Sequence, residues 1–223
     1  MVRPKSVAEM LTQTEQNLSE KAYEALLKML INREIPVNTS LQERRLAEIL
    51  DISRTPVRDA LNRLENEGFI GRAAGRTQVV KEFSTRELIE TLNVRRTLEA
   101  EAARLSAGRV PRQELDDMEA QIRQLMADEN PSSEKDWALD SQLHATMALY
   151  SENRLLVQYI ETLRLKTRMF NLRQLPERFD AGHMEHLAII EGLRSTNPVA
   201  AATAVSEHID NVKESILYRL SII

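Results

Sequence analysis

One carboxylate and three imidazoles are spaced along the C-terminal part of the chain in a pattern typical of metal binding. Asp140 and His144 lie four residues apart, so their side chains share one face of a predicted helix, and His186 and His208 fall on two later helices. A single histidine is more often an ordinary surface or core residue. A carboxylate with three imidazoles on facing helices is better explained as a metal site. These ligands suit a divalent transition metal such as Zn, Ni, Mn or Fe.

A second group of residues, between Ser53 and Leu64, suits the recognition of DNA. Apolar residues recur there at helical spacing, while Arg54, Thr55 and Arg58 lie mostly off the apolar stripe. Ser53 suits the N-cap of such a helix. A helix whose first turn offers arginine and hydroxyl groups fits a DNA major groove, because arginine can pair with guanine edges and a helix N-terminus favours phosphate.

The elements predicted around this stretch are helices and a hairpin. Apolar periodicity predicts three helices, over residues 15–32, 42–50 and 53–64. Two β-like runs, residues 69–72 and 77–80, flank a turn that contains Gly75, which predicts a hairpin. A helix-turn-helix followed by a hairpin is a winged helix-turn-helix. We assign this domain to residues 15–82, after a flexible arm over residues 1–14.

The remainder of the chain, residues 83–223, is predicted to be all helical. Its apolar residues recur at helical spacing in six segments, at about residues 84–107, 111–126, 134–150, 154–175, 178–194 and 198–220. Six helices, or seven, without a convincing strand predict an all-α bundle. The fold class is therefore mainly α, a winged helix-turn-helix followed by a six-helix bundle.

Composition narrows the class of protein. The 223 residues are 42% hydrophobic, which suffices for a packed core, and only 4% aromatic, which favours helices over a β-sandwich. The absence of cysteine excludes disulfides and thiolate chemistry. No apolar run approaches the roughly 18 residues of a membrane span, and residues 1–16 lack the apolar core of a signal peptide. We therefore expect a cytoplasmic protein without a membrane partner.

The net charge of −4 is unevenly placed along the chain. Residues 1–82 contain 13 Lys and Arg against 12 Asp and Glu, whereas residues 83–223 contain 17 against 22. A negative chain is a poor general binder of nucleic acid. Any DNA-binding part must therefore act through a local basic patch rather than through the charge of the whole protein.

The run of residues 41–68 resembles the bacterial GntR family of winged-helix repressors, whose motif reads, loosely, L-x-E-x-x-L-A-x-x-L-x-V-S-R-T-P-V-R-x-A-L-x-x-L-x-x-x-G. The match covers residues 41–79 nearly without gaps. The resemblance implies that five residues serve DNA binding: Arg44, Arg54, Thr55, Arg58 and, at the wing tip, Gly75. By the same resemblance, Arg44 and Arg58 grip phosphates and Arg54 reads a guanine.

One position departs from that motif. The family usually has Pro-Gly before the strand that leads to residue 41, where this chain has Val37 and Asn38. Asparagine tolerates the left-handed backbone conformation that glycine would supply. We therefore expect the turn to be retained.

The metal pattern is similar to that of the FCD effector domain of FadR-type GntR regulators. The likeness lies in the spacing of Asp140 and His144, in the pair Glu185-His186 and in His208 followed by isoleucine. In many members of that group the equivalent aspartate and three histidines bind a divalent metal, so the resemblance implies that role here. His183 is off this pattern, and we interpret it as a helix-start residue rather than a ligand.

The first helix of the bundle also resembles the FCD domain, which often has V-R-x-x-L-E where this chain has residues 94–99. An arginine in that helix pairs with a carboxylate effector in several members. Arg95 is therefore our candidate effector contact. The alternative is a salt bridge within the domain.

Together these patterns predict a ligand-responsive bacterial transcriptional regulator, in the role of a repressor. We expect a homodimer whose two winged heads bind a palindromic operator on double-stranded DNA. Residues 83–223 would bind a small carboxylate effector beside the metal and mediate dimerisation. One alternative is a purely structural metal. Another is a metal-dependent hydrolytic enzyme, but the sequence offers no recognisable general base beside the ligands, and the DNA-binding part would be unexplained.

Overall fold

The computed structural model describes residues 7–169 and 178–221, and the chain divides into two compact units. The first unit extends to Phe83 and the second begins at Ser84. Among the residues described, no helix is both long and apolar enough to cross a membrane. Each unit has its own core and carries one of the two predicted sites.

The first unit combines three helices with a two-stranded antiparallel hairpin: α1 (Val7–Ile31), α2 (Glu43–Leu50), α3 (Arg54–Asn66), β1 (Ile70–Ala73) and β2 (Thr77–Val80). In the hairpin, Ile70 lies opposite Val80 and Ala73 lies opposite Thr77. The turn between α2 and α3 is tight because Asp51 has a left-handed backbone, with φ of 52°. The predicted winged helix-turn-helix is confirmed.

Burial of one face of α3 determines which of its side chains are exposed to solvent. Helix α3 packs against α1 and α2, and the members of its apolar stripe are 2% exposed or less: Val57, Ala60, Leu61 and Leu64. Truncating a buried leucine to alanine costs about 2–5 kcal/mol. This packing therefore holds α3 in one rotation, with its arginine face toward solvent.

Residues with positive φ lie in the turns that connect these elements. Asn38 has φ of 64°, and its backbone N–H donates to the Val80 carbonyl at 3.0 Å. The expectation that asparagine would retain this turn is confirmed. At the hairpin turn, Ala74 and Gly75 both have positive φ, of 48° and 75°. Gly75 thus lies at the tip of the wing.

The first helix is longer than predicted. It begins at Val7 rather than near residue 15, so residues 7–14, which the sequence analysis assigns to a flexible arm, are helical in the structure. That stretch contains leucine, methionine, alanine and glutamate but neither proline nor glycine, so its composition favours continuing the helix. Residues 1–6 of the predicted arm lie outside the described residues.

The second unit is a bundle, and the helices described in it are α4 (Thr85–Ser106), α5 (Arg112–Met126), α6 (Ser133–Tyr150), α7 (Arg154–Met169), α8 (Phe179–Arg194) and α9 (Pro198–Ser221). The predicted all-helical bundle is confirmed. The predicted helix over residues 154–175 is described as far as Met169, and residues 170–177 lie outside the described part of the chain.

Side chains cap the N-termini of several of these helices. Ser84 and Glu87 form a capping box, in which each side chain bonds the backbone N–H of the other residue. The Asn153 and Asn197 side chains accept hydrogen bonds from the first turns of α7 and α9. Helix α4 contacts α6, α7 and α9. Its inner face therefore meets the helices that carry most of the predicted ligands.

Candidate metal centre and DNA-binding surface

The four predicted metal ligands meet inside the second unit. Asp140 and His144 lie on α6, His186 on α8 and His208 on α9, and their ligand atoms all lie within 4.8 Å of one another. Ligand atoms on opposite sides of one ion, with bonds of about 2.1 Å, are about 4.2 Å apart. Small side-chain movements therefore suffice for a single ion to reach all four. The three histidine residues are 5% exposed or less.

Two buried nitrogen atoms support the fit of this cluster to a metal. Nε2 of His144 and Nε2 of His186 have no hydrogen-bond partner among the described residues. They lie 3.7 Å and 3.4 Å from Asp140 Oδ1, without hydrogen-bond alignment. A buried nitrogen without a partner costs free energy. Two such nitrogens around one carboxylate oxygen fit a divalent cation bound between them.

Two carboxylates orient the rings of His144 and His208 through their Nδ1 atoms. Glu99 accepts a hydrogen bond from His144 Nδ1, and Glu185 Oε2 accepts one from His208 Nδ1 at 2.8 Å. A proton held on Nδ1 leaves the Nε2 lone pair for a metal, which is the usual arrangement around metal-binding histidines. Glu99 and Glu185 therefore act as positioning residues for the cluster.

The protonation states of the cluster suit metal binding. Burial lowers the pKa of His144 to about 3, and the positive charge of Arg164 acts in the same direction. Together these two causes outweigh the opposing effects of Glu99 and Asp140. Burial also lowers the pKa of His208. Burial alone would raise the pKa of Asp140, but Arg164, which donates a hydrogen bond to it, and the neighbouring imidazoles hold that pKa well below its usual range. Neutral imidazoles and an ionised carboxylate are the forms that coordinate metals.

Arg95, the candidate effector contact, is held within the protein. Its Nε donates to Glu99 Oε1 at 2.7 Å, and its Nη1 donates to Thr167 Oγ1 at 3.3 Å. The structure thus contains the salt bridge that was the alternative interpretation. Because Glu99 also binds His144, Arg95 supports the metal cluster through that carboxylate. Arg95 lines the adjacent cavity as well, so contact with an effector stays a prediction.

A cavity of about 540 Å³ lies beside the cluster. Three of the four ligands, Asp140, His186 and His208, form part of its wall. His183 lies near the start of α8, as interpreted from the sequence, but its side chain also lines this cavity and is nearly fully buried. A volume of this size falls in the range of about 300–1,000 Å³ that small-molecule sites occupy.

The predicted DNA-binding residues lie on exposed surface of the first unit. The side chains of Arg54 and Arg58 on α3 are 60% and 54% exposed, and Thr55 beside them is exposed. Arg44 on α2 is 82% exposed. Gly75 is exposed at the wing tip. These residues are accessible to a large ligand such as a duplex, and their contacts with DNA stay predictions.

Glu43 joins the two arginines of α3. Its carboxylate accepts two hydrogen bonds of 2.8 Å from Arg58 and one of 3.1 Å from Arg54. The bonds from Arg58 are the main cause that lowers the pKa of Glu43 to about 2. The carboxylate is therefore ionised at neutral pH and holds both guanidinium groups beside each other.

Sequence reasoning did not assign four residues that position these sites: Glu43, Glu99, Glu185 and Arg164. Three of them had a signal, because Glu43 and Glu99 occupy motif positions and Glu185 precedes a predicted ligand. Arg164 had none, since its contact with Asp140 joins two helices and depends on how they pack.

Comparisons with known proteins cover both units. Residues 90–211 match the family model of the FCD domain, and residues 18–80 match that of bacterial regulatory proteins, gntR family. The Nta operon transcriptional regulator of Aminobacter aminovorans is 28% identical over 181 residues, which span 79% of this chain and 84% of that protein. The HTH-type transcriptional repressor RspR of Escherichia coli K12 is 23% identical over 207 residues, or 90% of each chain.

A solved structure shares the fold. McbR/YncC of E. coli aligns with a TM-score of 0.75 at 21% sequence identity, covering 92% of this chain and 98% of that one. At this identity, the likeness shows the architecture alone.

Proposed function

We propose that this chain, which belongs to the GntR family of bacterial regulators and carries an FCD domain, is a metal-containing repressor that responds to a small carboxylate. Its family makes it a DNA-binding transcriptional regulator. The repressor role is supported by the name of the RspR relative. The remaining parts of the proposal are a palindromic operator, a homodimer, and an effector that changes the affinity for DNA.

The effector proposal rests on the position of the metal cluster beside a cavity. Asp140, His186 and His208 face a cavity of about 540 Å³, so a bound ion would lie at its wall. The ion supplies positive charge that attracts a carboxylate. A purely structural ion has no need of such a cavity, so the arrangement favours ligand binding. The buried imidazoles suit Zn, Ni, Mn or Fe.

The DNA proposal is supported by the exposed face of α3 and by the wing. Arg54 can donate two parallel hydrogen bonds to a guanine, and Arg44 and Arg58 can reach phosphates on either side. A head of this size reads only a short half-site. Two heads related by a two-fold axis would read an inverted repeat.

The homodimer proposal is supported by apolar side chains on the bundle. Large exposed apolar residues occur on α6, α7 and α9: Leu149, Leu155, Tyr159, Val199 and Tyr218. Exposed apolar side chains favour a protein contact where they form a contiguous patch. Association of two bundles would pair the two heads that a palindromic operator requires.

Selection from a random duplex library tests the DNA part of this proposal. We expect the full-length metal-loaded chain to enrich an inverted repeat, and footprinting to show protection of both half-sites. The Arg54→Ala/Arg58→Ala double variant is the control and should enrich no sequence. Enrichment of a single unpaired site, or the same enrichment by the double variant, would contradict the proposal.

A further inference from the structure

The outer half of the wing, the hairpin of β1 and β2, is joined to α3 by polar contacts rather than by the core. Each strand has four residues, and of the four facing pairs only Ile70–Val80, at the base, has both side chains buried. An isolated two-stranded hairpin is at best marginally stable in water. The orientation of the exposed tip therefore depends on the side chains that connect it to α3.

Glu65 of α3 makes this connection. Its Oε1 accepts a hydrogen bond from Arg72 Nε, and its Oε2 accepts bonds of 2.9 Å from Arg72 Nη2 and 2.8 Å from Gln78 Nε2. Arg72 on β1 lies opposite Gln78 on β2, so both members of one cross-strand pair donate to the same carboxylate. One side chain of α3 thereby holds both strands of the wing, at the second pair from the tip.

The same arginine reaches the tip itself. Arg72 Nη1 donates to the backbone carbonyl of Arg76 at 3.4 Å, so one guanidinium group joins the carboxylate on α3 to the turn that contains Gly75. The bonds from Arg72 and Gln78 lower the pKa of Glu65, which is therefore ionised at neutral pH. A bidentate pair of an arginine and a carboxylate fixes the orientation of its two groups as well as adding free energy.

We propose that Glu65 is a positioning residue for DNA recognition, which holds the wing in one orientation to α3 so that the tip contacts DNA beside the segment that α3 reads. The wing and α3 then form one rigid reading surface. Loss of the bond between Glu65 and Arg72 uncouples the two parts of this surface. The inference rests on the proposed function, because it requires α3 and the wing tip to bind the same operator.

Two other roles of Glu65 fit these contacts less well. A contact of its own with DNA is disfavoured, because a carboxylate is repelled by phosphates and both of its oxygens already accept hydrogen bonds. A role in the stability of the whole domain is disfavoured, because a partly exposed ion pair contributes little to stability. Phe69 and Ile70, which are 2% exposed or less, already anchor the base of the wing.

Crosslinking of the operator from the wing tip tests this role. The chain contains no cysteine, so Ala74→Cys provides a single attachment point for a photoactivatable aryl azide. Ala74 is exposed in the turn of the wing, and cysteine retains its Cβ atom. At saturating concentration on its selected operator, the labelled full-length metal-loaded chain should crosslink to one short segment beside each half-site.

Charge reversal of the pair supplies the variants, each made in the labelled background. In Glu65→Arg and in Arg72→Glu we expect crosslinks at the wild-type segment to fall about threefold or more, as the loss of one hydrogen-bonded contact predicts. The remaining crosslinks should spread over neighbouring bases, because the tip has lost its fixed orientation. The exchange Glu65→Arg/Arg72→Glu restores an ion pair and should return the crosslinks to within about twofold of the wild type.

Matched controls separate orientation from charge and from stability. Glu24→Arg makes the same change of charge at an exposed position of α1, and it should keep the wild-type crosslinks. The base preference of α3, measured by anisotropy, and the melting temperature should be unchanged in every variant, whereas a merely structural role would lower both. If a reversal variant fails to fold, Glu65→Gln takes its place. Its amide keeps the shape of the side chain but offers only one accepting oxygen, so the crosslinks should still spread.

The outcomes distinguish this inference from the proposed function. Crosslinks that are as strong and as narrow in the single variants as in the wild type would overturn the positioning role and leave operator binding standing. Spread crosslinks that the exchange does not restore would also overturn it. If the wild type binds its operator without any crosslink from the wing tip, the wing contact and this inference fall together. A chain that selects no operator would contradict the proposed function, and the inference with it.

Discussion

The arginine surface of the first unit and the histidine cluster of the second are built on opposite principles. Arg54 and Arg58 are more than half exposed and share one carboxylate, Glu43. The imidazoles of His144 and His208 are almost wholly buried, and each is held by a carboxylate of its own. The first arrangement leaves charge available to a large partner. The second keeps neutral ligands rigid for a small one.

This difference predicts how each site responds to mutation. Exposed guanidinium groups are screened by solvent, so changes there should alter binding while the fold is retained. Buried ligands and their carboxylates are coupled, since removal of one leaves others without partners. We therefore expect larger effects in the bundle than in the head, in the order that follows.

Loss of a ligand should have the largest effect. His208→Ala removes one of the four groups within reach of a single ion. We expect most of the bound metal to be lost. The reduction in metal affinity should exceed the roughly 10–100-fold that is typical when a residue that only orients a ligand is changed. Elemental analysis of the purified chain measures this loss. His183→Phe is the matched histidine control and should retain its metal. If His208→Ala retained as much metal as the wild type, His208 would not be a metal ligand.

Glu99→Gln should weaken metal binding by about 10–100-fold, because the amide orients His144 Nδ1 less strongly than a carboxylate does. Competition with a chromophoric chelator measures the affinity. Glu101→Gln changes an exposed glutamate of the same helix, paired only with Arg104 in the contacts described, and serves as control. Equal affinities for the two variants would exclude the positioning role of Glu99.

Arg54→Ala should weaken specific DNA binding by about 1–3 kcal/mol and relax the base preference at one position of each half-site. Arg58→Ala should instead weaken binding to all sequences and reduce the salt slope by about one. Fluorescence anisotropy on matched and mismatched duplexes, at several salt concentrations, measures both. If Arg54→Ala keeps the full preference of the wild type, another residue reads the base.

The smallest effect is expected for the acid titration of Glu43. Hydrogen bonds from Arg58 depress its pKa to about 2, below the ordinary value of 4.5. The contribution of this ion pair to folding stability is therefore fully present above pH 4.5, the ordinary pKa of a glutamate. It is lost as the pH falls from there through about 2. NMR of labelled glutamate carboxyl carbons follows this titration. In Arg58→Ala the pKa should move up toward 4.5, and an unchanged value would argue against the contact.

The two sites also differ in how far the sequence alone predicts them. The head is encoded in one continuous run, so its helices, its hairpin and the left-handed Asn38 could all be predicted. The start of α1 at Val7 was not predicted, although residues 7–14 contain neither proline nor glycine. Local sequence thus carries most of the information about the head.

The cluster in the bundle joins residues that lie far apart in the sequence. The four residues of this cluster were predicted from residue type, from the spacing of Asp140 and His144 and from the family resemblance, and the structure brings them together. The bond from Arg164 to Asp140 and the place of His183 in the cavity wall were not, because they depend on how α6, α7 and α8 pack. Such contacts across helices leave no periodic signal along the chain.

Operator binding measured with and without ligands of the bundle tests the proposed coupling most directly. Fluorescence anisotropy would follow the full-length chain on its selected operator, metal-loaded or chelated, in the presence of each of a panel of small carboxylic acids. At least one acid should change the operator affinity by about 5–150-fold, and Asp140→Ala should abolish that change. An operator affinity that no acid and no metal removal alters would contradict a ligand-responsive regulator.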